Sequence, residues 1–239
     1  EPFYRWLATW AMTLKRPSDL GYSDAGYFLP PLTVKSVIVP SNYVPEGMLT
    51  AVTLKGITEY AKVRAGTIPE RVTAAMRVID REPDEQWTVW CGLNAEQDAI
   101  TKALGDRCVS VYGSLAPDEK VARLDRWLAG EVRVMATKGS IFGHGLNLQN
   151  CARVLFLGLN YSFELYHQII GRHHRFGQTR PVHAYIVLTD LEETIYANVL
   201  RKEREFDAMT DQLVKRVAAY ERAELHGQDV GVGVDRLGN

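Results

Sequence analysis

The chain has 239 residues, of which 46% are hydrophobic and 24% are charged, with 28 lysine and arginine residues against 29 acidic ones. A chain of this size can bury a full core in one large or two small domains. Its balanced charge excludes a surface that attracts polyanions as a whole, so any contact with nucleic acid must be a local patch.

Cysteine usage and hydropathy exclude further classes of protein. The three cysteines, Cys91, Cys108 and Cys151, are widely spaced and form no Cys-x-x-Cys pair, which argues against a disulfide scaffold or a zinc site. No apolar run in the sequence reaches membrane-spanning length, and no signal peptide opens it. We therefore expect a cytoplasmic protein with no membrane partner.

The first 31 residues are predicted to form a helix and a linker. Residues 1–16 place apolar side chains at helical spacing, and residues 17–31 have the glycine, proline and aspartate of turns. The simpler interpretation packs the helix against the rest of this chain. The more specific interpretation assigns the helix to the end of a missing first lobe. Because the sequence begins at Glu1 and not at a methionine, we expect a fragment or a processed chain.

Residues 32–85 are predicted to form a strand and a helical preface to the main domain. The strand covers Val34 to Val39, and two helices cover residues 50–64 and 69–80. Pro69 stands at a favourable first position of the second helix. The inward face of that helix is expected to hold Val72, Ala75, Met76 and Ile79.

From residue 86 to 190 the pattern alternates between strand and helix, which predicts an α/β fold with a parallel sheet and helices on both faces. The expected strands are Trp87–Cys91, Cys108–Tyr112, Val132–Ala136, Val154–Gly158 and Ala184–Leu188. The expected helices are Glu96–Leu104, Pro117–Ala129, with Val121, Leu124 and Leu128 facing inward, and Phe163–His174. The loops that start at Asn94, Gly113, Thr137 and Asn160 should then meet at the carboxyl edge of the sheet, where ligands bind.

Residues 191–225 are predicted to form a long bracing helix, followed by a frayed tail over residues 226–239. The helix is expected to pack across the sheet or toward another lobe. Its drifting apolar stripe consists of Ile195, Val199, Phe206, Met209, Leu213, Val217 and Tyr220.

The stretch from Thr137 to Gly177 contains the residues with the most chemical content. Gln168, Arg172 and Arg175 follow one another at spacings of four and three, so a helix would place them on one face. Two guanidinium groups on one face form a candidate clamp for phosphate oxygens. Upstream, glycines at positions 139, 143 and 145 would let the backbone come close to a ligand. We expect these two halves to meet over a nucleotide.

The same stretch resembles motifs V and VI of superfamily-two helicases of the Swi/Snf-like branch. Residues 168–179 read QIIGRHHRFGQT, against the family's Gln-x-x-Gly-Arg-x-His-Arg-x-Gly-Gln-Thr, and residues 143–148 match its Gly-x-Gly-[Leu/Ile]-Asn-Leu run. Similarity extends over about residues 87–202, and residues 10–32 resemble helicases of phages and prophages. The resemblance implies a three-layer RecA-like fold of the P-loop nucleotide hydrolase type, here the second, C-terminal lobe of a helicase.

The resemblance also implies roles for individual residues. Arg172 and Arg175 would approach the terminal phosphates of ATP, and Gln168 would bridge the nucleotide site and the neighbouring motif. The positions that match those facing the nucleotide are Gly143, Gly145 and Asn147. The positions that match those along the DNA backbone are Gly113, Ser114, Thr137 and Lys138. ATP and Mg²⁺ would be bound mainly by an N-terminal RecA-like lobe of the same protein, which is absent from this sequence.

The sequence contains only half of an ATP site. No Gly-Lys pair occurs in it, so there is no G-x-x-x-x-G-K-[ST] loop, and Asp84-Glu85 precedes a strand instead of ending one. We therefore expect a chain that is inactive alone and acts as the second motor lobe of an ATP-dependent DNA helicase or translocase. The alternative is a non-catalytic module that binds DNA or a protein. Ser140 and the run from Leu159 to Gln168 depart from the pattern of chromatin remodellers, which favours translocation on DNA over nucleosome remodelling.

A few other polar residues have weaker signals. Asn94 and Glu96 stand where motif IV of the family lies. His173 and His174 are adjacent, so they point in different directions on a helix, and no carboxylate accompanies them at ligand spacing. We predict no metal site there, and we expect His174 to orient neighbouring groups.

Overall fold

The computed structural model describes residue 6 and residues 15–41, 57–142, 146–159 and 162–225. Several sequence predictions lie outside these residues: most of the helix over residues 1–16, the start of the helix over 50–64, the glycine turn 143–145, Asn160 and the tail 226–239. The chain divides into two compact units, one formed by residues 29–200 and the other by residues 1–28 together with 201–239.

The larger unit contains a parallel sheet. Its six strands are β1 (Leu32–Val39), β2 (Trp87–Cys91), β3 (Cys108–Ser110), β4 (Val134–Lys138), β5 (Arg153–Leu157) and β6 (Val182–Thr189). They are arranged in the order β1-β6-β5-β2-β4-β3, and every pairing is parallel. Strand β1, which the sequence placed in a preface, is an edge strand of this sheet and pairs with β6 from Leu32–Val182 to Val39–Thr189.

The helices follow the strands as the alternation predicts. They are α1 (Ile57–Gly66), α2 (Ile68–Asp80), α3 (Asn94–Leu104), α4 (Pro117–Leu128), the short α5 (Gly139–Phe142), α6 (Phe163–His173) and α7 (Glu193–Leu225). Local signals explain two of the starts. Pro69 lies in the first turn of α2, and the Ser162 hydroxyl accepts a hydrogen bond from the Leu165 amide at the start of α6.

The two faces of the sheet pack against different helices because side chains alternate along a strand. Trp87, Val89 and Cys91 belong to the cluster that α2 and α3 cover, whereas Trp90 belongs to the cluster on the opposite face. That second cluster includes Trp127 of α4, Tyr166, Ile169 and Ile170 of α6, and Val199 at the start of α7. The three-layer α/β fold predicted from the sequence is confirmed.

Helix α4 faces the sheet with a different side from the one predicted. Val121 and Leu128 are 55% and 43% exposed, whereas Trp127 is fully buried and Leu124 is partly buried. The inward prediction for Val121 and Leu128 was therefore wrong. Burying the large indole of Trp127 removes more apolar area from water than burying Val121, and the two residues lie on different sides of the helix. The Trp127 indole also donates a hydrogen bond to the Trp87 carbonyl, at 3.2 Å.

Helix α7 has the predicted length, but its apolar stripe is not continuous. Val199 and Val217 are buried, whereas Phe206 and Met209 are exposed, so the prediction was wrong for these two. The unit that contains the sheet ends at residue 200, and most described side chains from 201 to 213 are exposed. The side chains of Ile195 and Tyr220 lie outside the described set.

The smaller unit joins the start of the described chain to its end. The Lys15 ammonium lies 2.6 Å from the Asp211 carboxylate. Arg222 donates to the carbonyls of Asp19 and Ser18, at 2.6 and 2.8 Å, in the short 3-10 turn Pro17–Leu20. Among the described residues of the whole chain, no helix is both long and apolar enough to cross a membrane.

Candidate functional site

The described residues of the predicted site lie at two different edges of the sheet. Because all pairings are parallel, the loops after β2, β3, β4 and β5 open at the same edge. Of the predicted residues, Gly113 and Ser114 follow β3, and Thr137 and Lys138 end β4, so these four lie at the carboxyl edge. Arg172 lies in the last turn of α6, which begins after β5 and runs back toward the amino ends of the strands. There the adjacent His173 contacts Thr88 near the start of β2 and Cys151 before β5. The loop that contains Asn147 connects α5 to β5.

Arg172 joins helix α6 to the loop that follows the glycine turn. Its guanidinium Nη1 donates to the Leu146 carbonyl at 2.8 Å, and its own carbonyl accepts from the Leu148 amide at 3.2 Å. The two halves of the stretch Thr137–Gly177 are thus hydrogen-bonded to each other immediately beside residues 143–145. Gly143 and Gly145 themselves lie outside the described residues, and Asn147 is exposed. Their contact with a nucleotide stays a prediction.

Arg175 is not on the helix, so the prediction that it shares a helical face with Gln168 and Arg172 was wrong. Helix α6 ends at His173, and Arg175 lies in the turn that follows. Its side chain is exposed, and no carboxylate of the described residues lies within ion-pair distance of it. The helix ends here because the backbone of His174 has a non-helical conformation, although its amide still donates to the Ile170 carbonyl.

The two arginines remain close in space. Partial burial lowers the pKa of Arg172, and the positive charge of Arg175 lowers it further. An arginine stays protonated at neutral pH even so. The result is a pair of neighbouring like charges, which an anion would stabilise.

Gln168 lies one turn before Arg172 on α6 and is partly buried. Its amide Nε2 donates to the Glu164 carboxylate at 3.1 Å, a contact within the same helix. The bridging role that the resemblance implies for Gln168 stays a prediction, because its partner would come from a neighbouring motif.

Thr137 and Lys138 differ in how far they are available to a ligand. Thr137 is fully buried, and its hydroxyl donates to the Val111 carbonyl at 3.1 Å. In this structure it connects β4 to the segment that follows β3, instead of facing solvent. Lys138 is partly exposed at the end of β4. Their contact with a nucleic-acid backbone stays a prediction.

Gly113 and Ser114 form an exposed turn after β3. The Lys120 ammonium, in the first turns of α4, donates to the Gly113 carbonyl at 2.8 Å. A side chain added at Gly113 would meet Ile141 of α5 at 3.8 Å, so the turn lies next to the segment that follows Lys138. The predicted backbone-contacting residues after β3 and β4 are therefore neighbours.

Sequence reasoning missed a buried ionic cluster at the carboxyl edge of the sheet. Glu96 is fully buried and accepts hydrogen bonds from Arg64 and Arg71, at 2.8 Å each, and from the amides of Gly92 and Leu93. Glu192 lies 3.7 Å from Arg64. The sequence pointed to Glu96 in two ways: it stands where motif IV of the resembling family lies, and it occupies the third position of α3, where a carboxylate bonds free amides of a helix start.

The cluster also holds the loop between β5 and α6. Arg71 donates to the Leu157 carbonyl at 3.1 Å, and Arg64 donates to the Leu159 carbonyl at 3.4 Å. Gly158 between them has a φ of 86°, and a side chain there would lie 2.7 Å from the Arg64 guanidinium. Only glycine satisfies both the backbone conformation and this close approach.

His173 and His174 have separate structural roles. His173 is fully buried between the Cys151 carbonyl, 3.1 Å from Nδ1, and the Thr88 hydroxyl, 3.2 Å from Nε2. Burial lowers the pKa of His173 to about 4, so it is neutral at pH 7. His174 is partly buried, with Nε2 2.7 Å from the Pro30 carbonyl. Within the described residues, no group of His, Cys, Asp and Glu could hold a metal ion.

A small cavity of about 30 Å³ lies at the carboxyl edge of the sheet, between the ends of the central strands and the first turns of α6. Gly92, Gly158 and Leu159 line it together with apolar side chains of β2 and α6. Its volume is close to that of a single water molecule in the liquid. It is therefore too small for a nucleotide.

Comparison with known proteins agrees with this architecture. Residues 70–177 match the family described as helicase conserved C-terminal domain, in agreement with the resemblance found in the sequence. The chain is 33% identical over 86 residues to DEAD-box ATP-dependent RNA helicase 41 of Oryza sativa subsp. japonica, which is 36% of this chain and 16% of that protein. It is 45% identical over 60 residues to Helicase SWR1 of Mycosarcoma maydis, which is 25% of this chain and 3% of that protein.

The fold is also found among solved structures. A DEAD box protein from the hyperthermophile Methanococcus jannaschii superposes with a TM-score of 0.51 at 17% identity, over 57% of this chain and 37% of the other. The chain thus spans a minor part of each of these relatives.

Proposed function

We propose that this chain is the second motor lobe of an ATP-dependent DNA helicase or translocase of the Swi/Snf-like branch, of a type found in phages or prophages. In this role it supplies Arg175 and Arg172 to an ATP that the first RecA-like lobe holds. The observation that carries the proposal is the exposed Arg175 guanidinium beside Arg172, in a segment that matches the helicase conserved C-terminal domain.

The chemistry of phosphoryl transfer explains what the two arginines contribute. The transition state spreads negative charge over the oxygens of the transferred phosphoryl group, and positioned cations lower the barrier. Arg175 is exposed and has no carboxylate partner among the described residues, so no internal ion pair must be broken before it binds phosphate. Arg172 is already bonded to the Leu146 carbonyl. It couples the position of α6 to the loop that contains Asn147.

ATP and Mg²⁺ are assigned mainly to the other lobe. The sequence has no G-x-x-x-x-G-K-[ST] loop, and the described residues include no cluster of metal ligands. The residues of this chain that fit the nucleotide are cationic or backbone groups, which suit phosphate oxygens. When bound, Mg²⁺ would neutralise part of the charge on the phosphates, and Arg172 and Arg175 would supply further positive charge to them.

DNA is the proposed track, and its backbone is contacted by the neighbouring segments after β3 and β4. Backbone groups, hydroxyls and lysine can hold phosphates without reading bases. The relative from Oryza sativa is named as an RNA helicase, so RNA of matched sequence is the comparison that the assay needs.

The proposed function is tested by ATPase assays on this chain and on the full-length protein that contains both lobes. We expect negligible DNA-stimulated ATPase from the chain alone and DNA-stimulated turnover from the full-length protein. Robust turnover by the purified chain would contradict the proposal. A full-length protein that binds DNA or a protein partner but never hydrolyses ATP would favour a non-catalytic module instead.

A further inference from the structure

The turn that follows α6 determines where Arg175 points. Because the helix ends at His173, the helical geometry no longer sets the direction of the Arg175 side chain. A hydrogen bond from the backbone amide of Gln178 to the Arg175 carbonyl, at 3.0 Å, closes the turn. Gly177 within it has a φ of 95°, a conformation that L side chains rarely adopt.

Gln178 uses its whole side-chain amide to hold this turn. The residue is only 5% exposed, and its Nε2 donates to the carbonyl of His173, the last residue of the helix, at 3.1 Å. Its Oε1 accepts from the amides of Thr179 and Arg180, at 3.0 Å each. Both ends of the buried amide are therefore satisfied, and each bond is made to backbone of the same turn or its flanks.

Contacts on both sides fix the same turn to the body of the larger unit. On the side before Arg175 in the chain, Nε2 of His174 lies 2.7 Å from the Pro30 carbonyl. After it, a side chain at Gly177 would come within 2.7 Å of Gln149, so the turn lies directly against the loop that precedes β5. Arg180 donates to the Asn150 carbonyl and to Glu85, at 2.8 Å each. The anchors surround Arg175 and leave its guanidinium exposed.

We propose that Gln178 is a positioning residue for Arg175: it holds the turn Arg175–Gln178 so that the guanidinium is already oriented when ATP binds. This inference rests on the proposed function for its catalytic consequence. Misplacing a catalytic group by about 1 Å can lower a rate about 100-fold, and sites depend on groups whose supports are themselves locked by hydrogen bonds.

Two substitutions separate the bonds of Gln178. Gln178→Glu keeps the size of the side chain and its acceptor for Thr179 and Arg180, but it cannot donate to the His173 carbonyl when ionised. Gln178→Ala removes both bonds. Gln212→Ala is the matched control, because Gln212 is an exposed glutamine on α7 and belongs to the other compact unit.

The first measurement is amide hydrogen exchange on the chain itself. We expect the peptide over residues 174–180 to exchange at least about tenfold faster in Gln178→Ala, less so in Gln178→Glu, with strands β2 and β5 unchanged. The Gln212→Ala chain should exchange like the wild type. Unchanged exchange at residues 174–180 in Gln178→Ala would overturn the local role.

The second measurement is ATP turnover by the full-length protein. We expect Gln178→Ala to lower kcat about 10- to 100-fold with the KM for ATP nearly unchanged, and Gln178→Glu to have an intermediate kcat. A normal kcat in an active protein, or a loss that only follows lost stability, would overturn the inference. If the wild type has no ATPase, the proposed function fails, and the exchange measurement still decides whether Gln178 holds the turn. If Gln178→Ala does not fold, Gln178→Glu decides both measurements.

Discussion

Arg172 and Arg175 lie three residues apart in the sequence, but they have different surroundings. Arg172 is partly buried and bonded to the Leu146 carbonyl, whereas Arg175 is exposed on a turn. A substitution of Arg172 therefore disturbs the loop before β5 as well as any bound phosphate. A substitution of Arg175 removes only a guanidinium that is exposed in this chain, which makes it the cleaner probe of the proposed site.

Replacing Arg175 by alanine in the full-length protein should lower ATP turnover by about 1,000-fold or more, which is the range of a supplied arginine in phosphoryl transfer. ATP binding should weaken only modestly, because the first lobe is proposed to hold most of the nucleotide. Steady-state kinetics and nucleotide titration check both expectations. Arg204→Ala, an exposed arginine on α7, is the control. Unchanged turnover in Arg175→Ala would reject the role.

Buried His173 should make the stability of the chain depend on pH. The folded state holds the pKa of His173 at about 4, below its ordinary value of 6.5, because burial disfavours the charged ring. Between these two values the unfolded state binds a proton that the folded state does not. Above pH 6.5 the ring is neutral in both states and does not lower the free energy of unfolding. As the pH falls to 4, this group alone lowers the free energy of unfolding by about 3 kcal/mol.

Urea unfolding at pH 7, 5.5 and 4.5 measures this dependence. His173→Gln should flatten the fall between pH 6.5 and 4, whatever its effect on stability at pH 7. The control Gln212→Ala changes an exposed residue of α7 that does not titrate and should keep the wild-type dependence. An identical fall in the wild type and in His173→Gln would show that other groups cause it.

At the scale of elements, the buried ionic cluster joins four parts of the fold that are distant in sequence. Arg64 ends α1, Arg71 begins α2, Glu96 begins α3, and Glu192 precedes α7. The cluster meets the carbonyls at the end of β5, where the loop to α6 begins. A change in it should reach the helix that carries Arg172 through this loop.

Glu96→Ala should destabilise the larger unit by about 3–5 kcal/mol, because it leaves two arginines buried without their carboxylate. Glu119→Ala is the matched control. It removes an exposed partner of Arg123 on α4, and such a surface pair contributes at most about 1 kcal/mol. Urea unfolding at pH 7 compares the two. A loss below about 1 kcal/mol in Glu96→Ala would contradict the importance of the cluster.

At the scale of the whole molecule, the near-neutral charge limits how this chain can bind nucleic acid. The formal net charge is −1, so no general attraction supports binding. Of the predicted backbone contacts, Gly113, Ser114 and Thr137 carry no charge, and only Lys138 is a cation. Affinity for nucleic acid in this lobe should therefore be weak, with the release of about one counterion.

Binding of this chain to single-stranded DNA should weaken with salt with a log–log slope of about −0.7, the value for one phosphate contact on a single strand. Lys138→Ala should abolish that dependence, and Lys102→Ala, an exposed lysine on α3, should not change it. Fluorescence anisotropy with DNA and RNA of the same sequence measures the slope and the preference. A slope of about −2 would mean that Arg172 and Arg175 also bind the strand, contrary to their assignment to ATP.

The sequence by itself determined the order of elements and the class of fold. Apolar runs of strand length separated by helical patterns predicted a parallel sheet because local periodicity encodes which face of each element is buried. The run QIIGRHHRFGQT indicated the helicase C-terminal domain, because many residue types at fixed spacing rarely coincide by chance.

Only the tertiary structure decided which side chains meet. It placed Arg175 on a turn beyond α6, turned Trp127 inward in place of Val121, and buried Glu96 between Arg64 and Arg71. The last two outcomes depend on contacts between residues far apart in the chain, Glu96 with Arg64 and Trp127 with Trp87. Spacing along one segment cannot reveal such contacts, because the free energy that selects them comes from burial and charge pairing across the sheet.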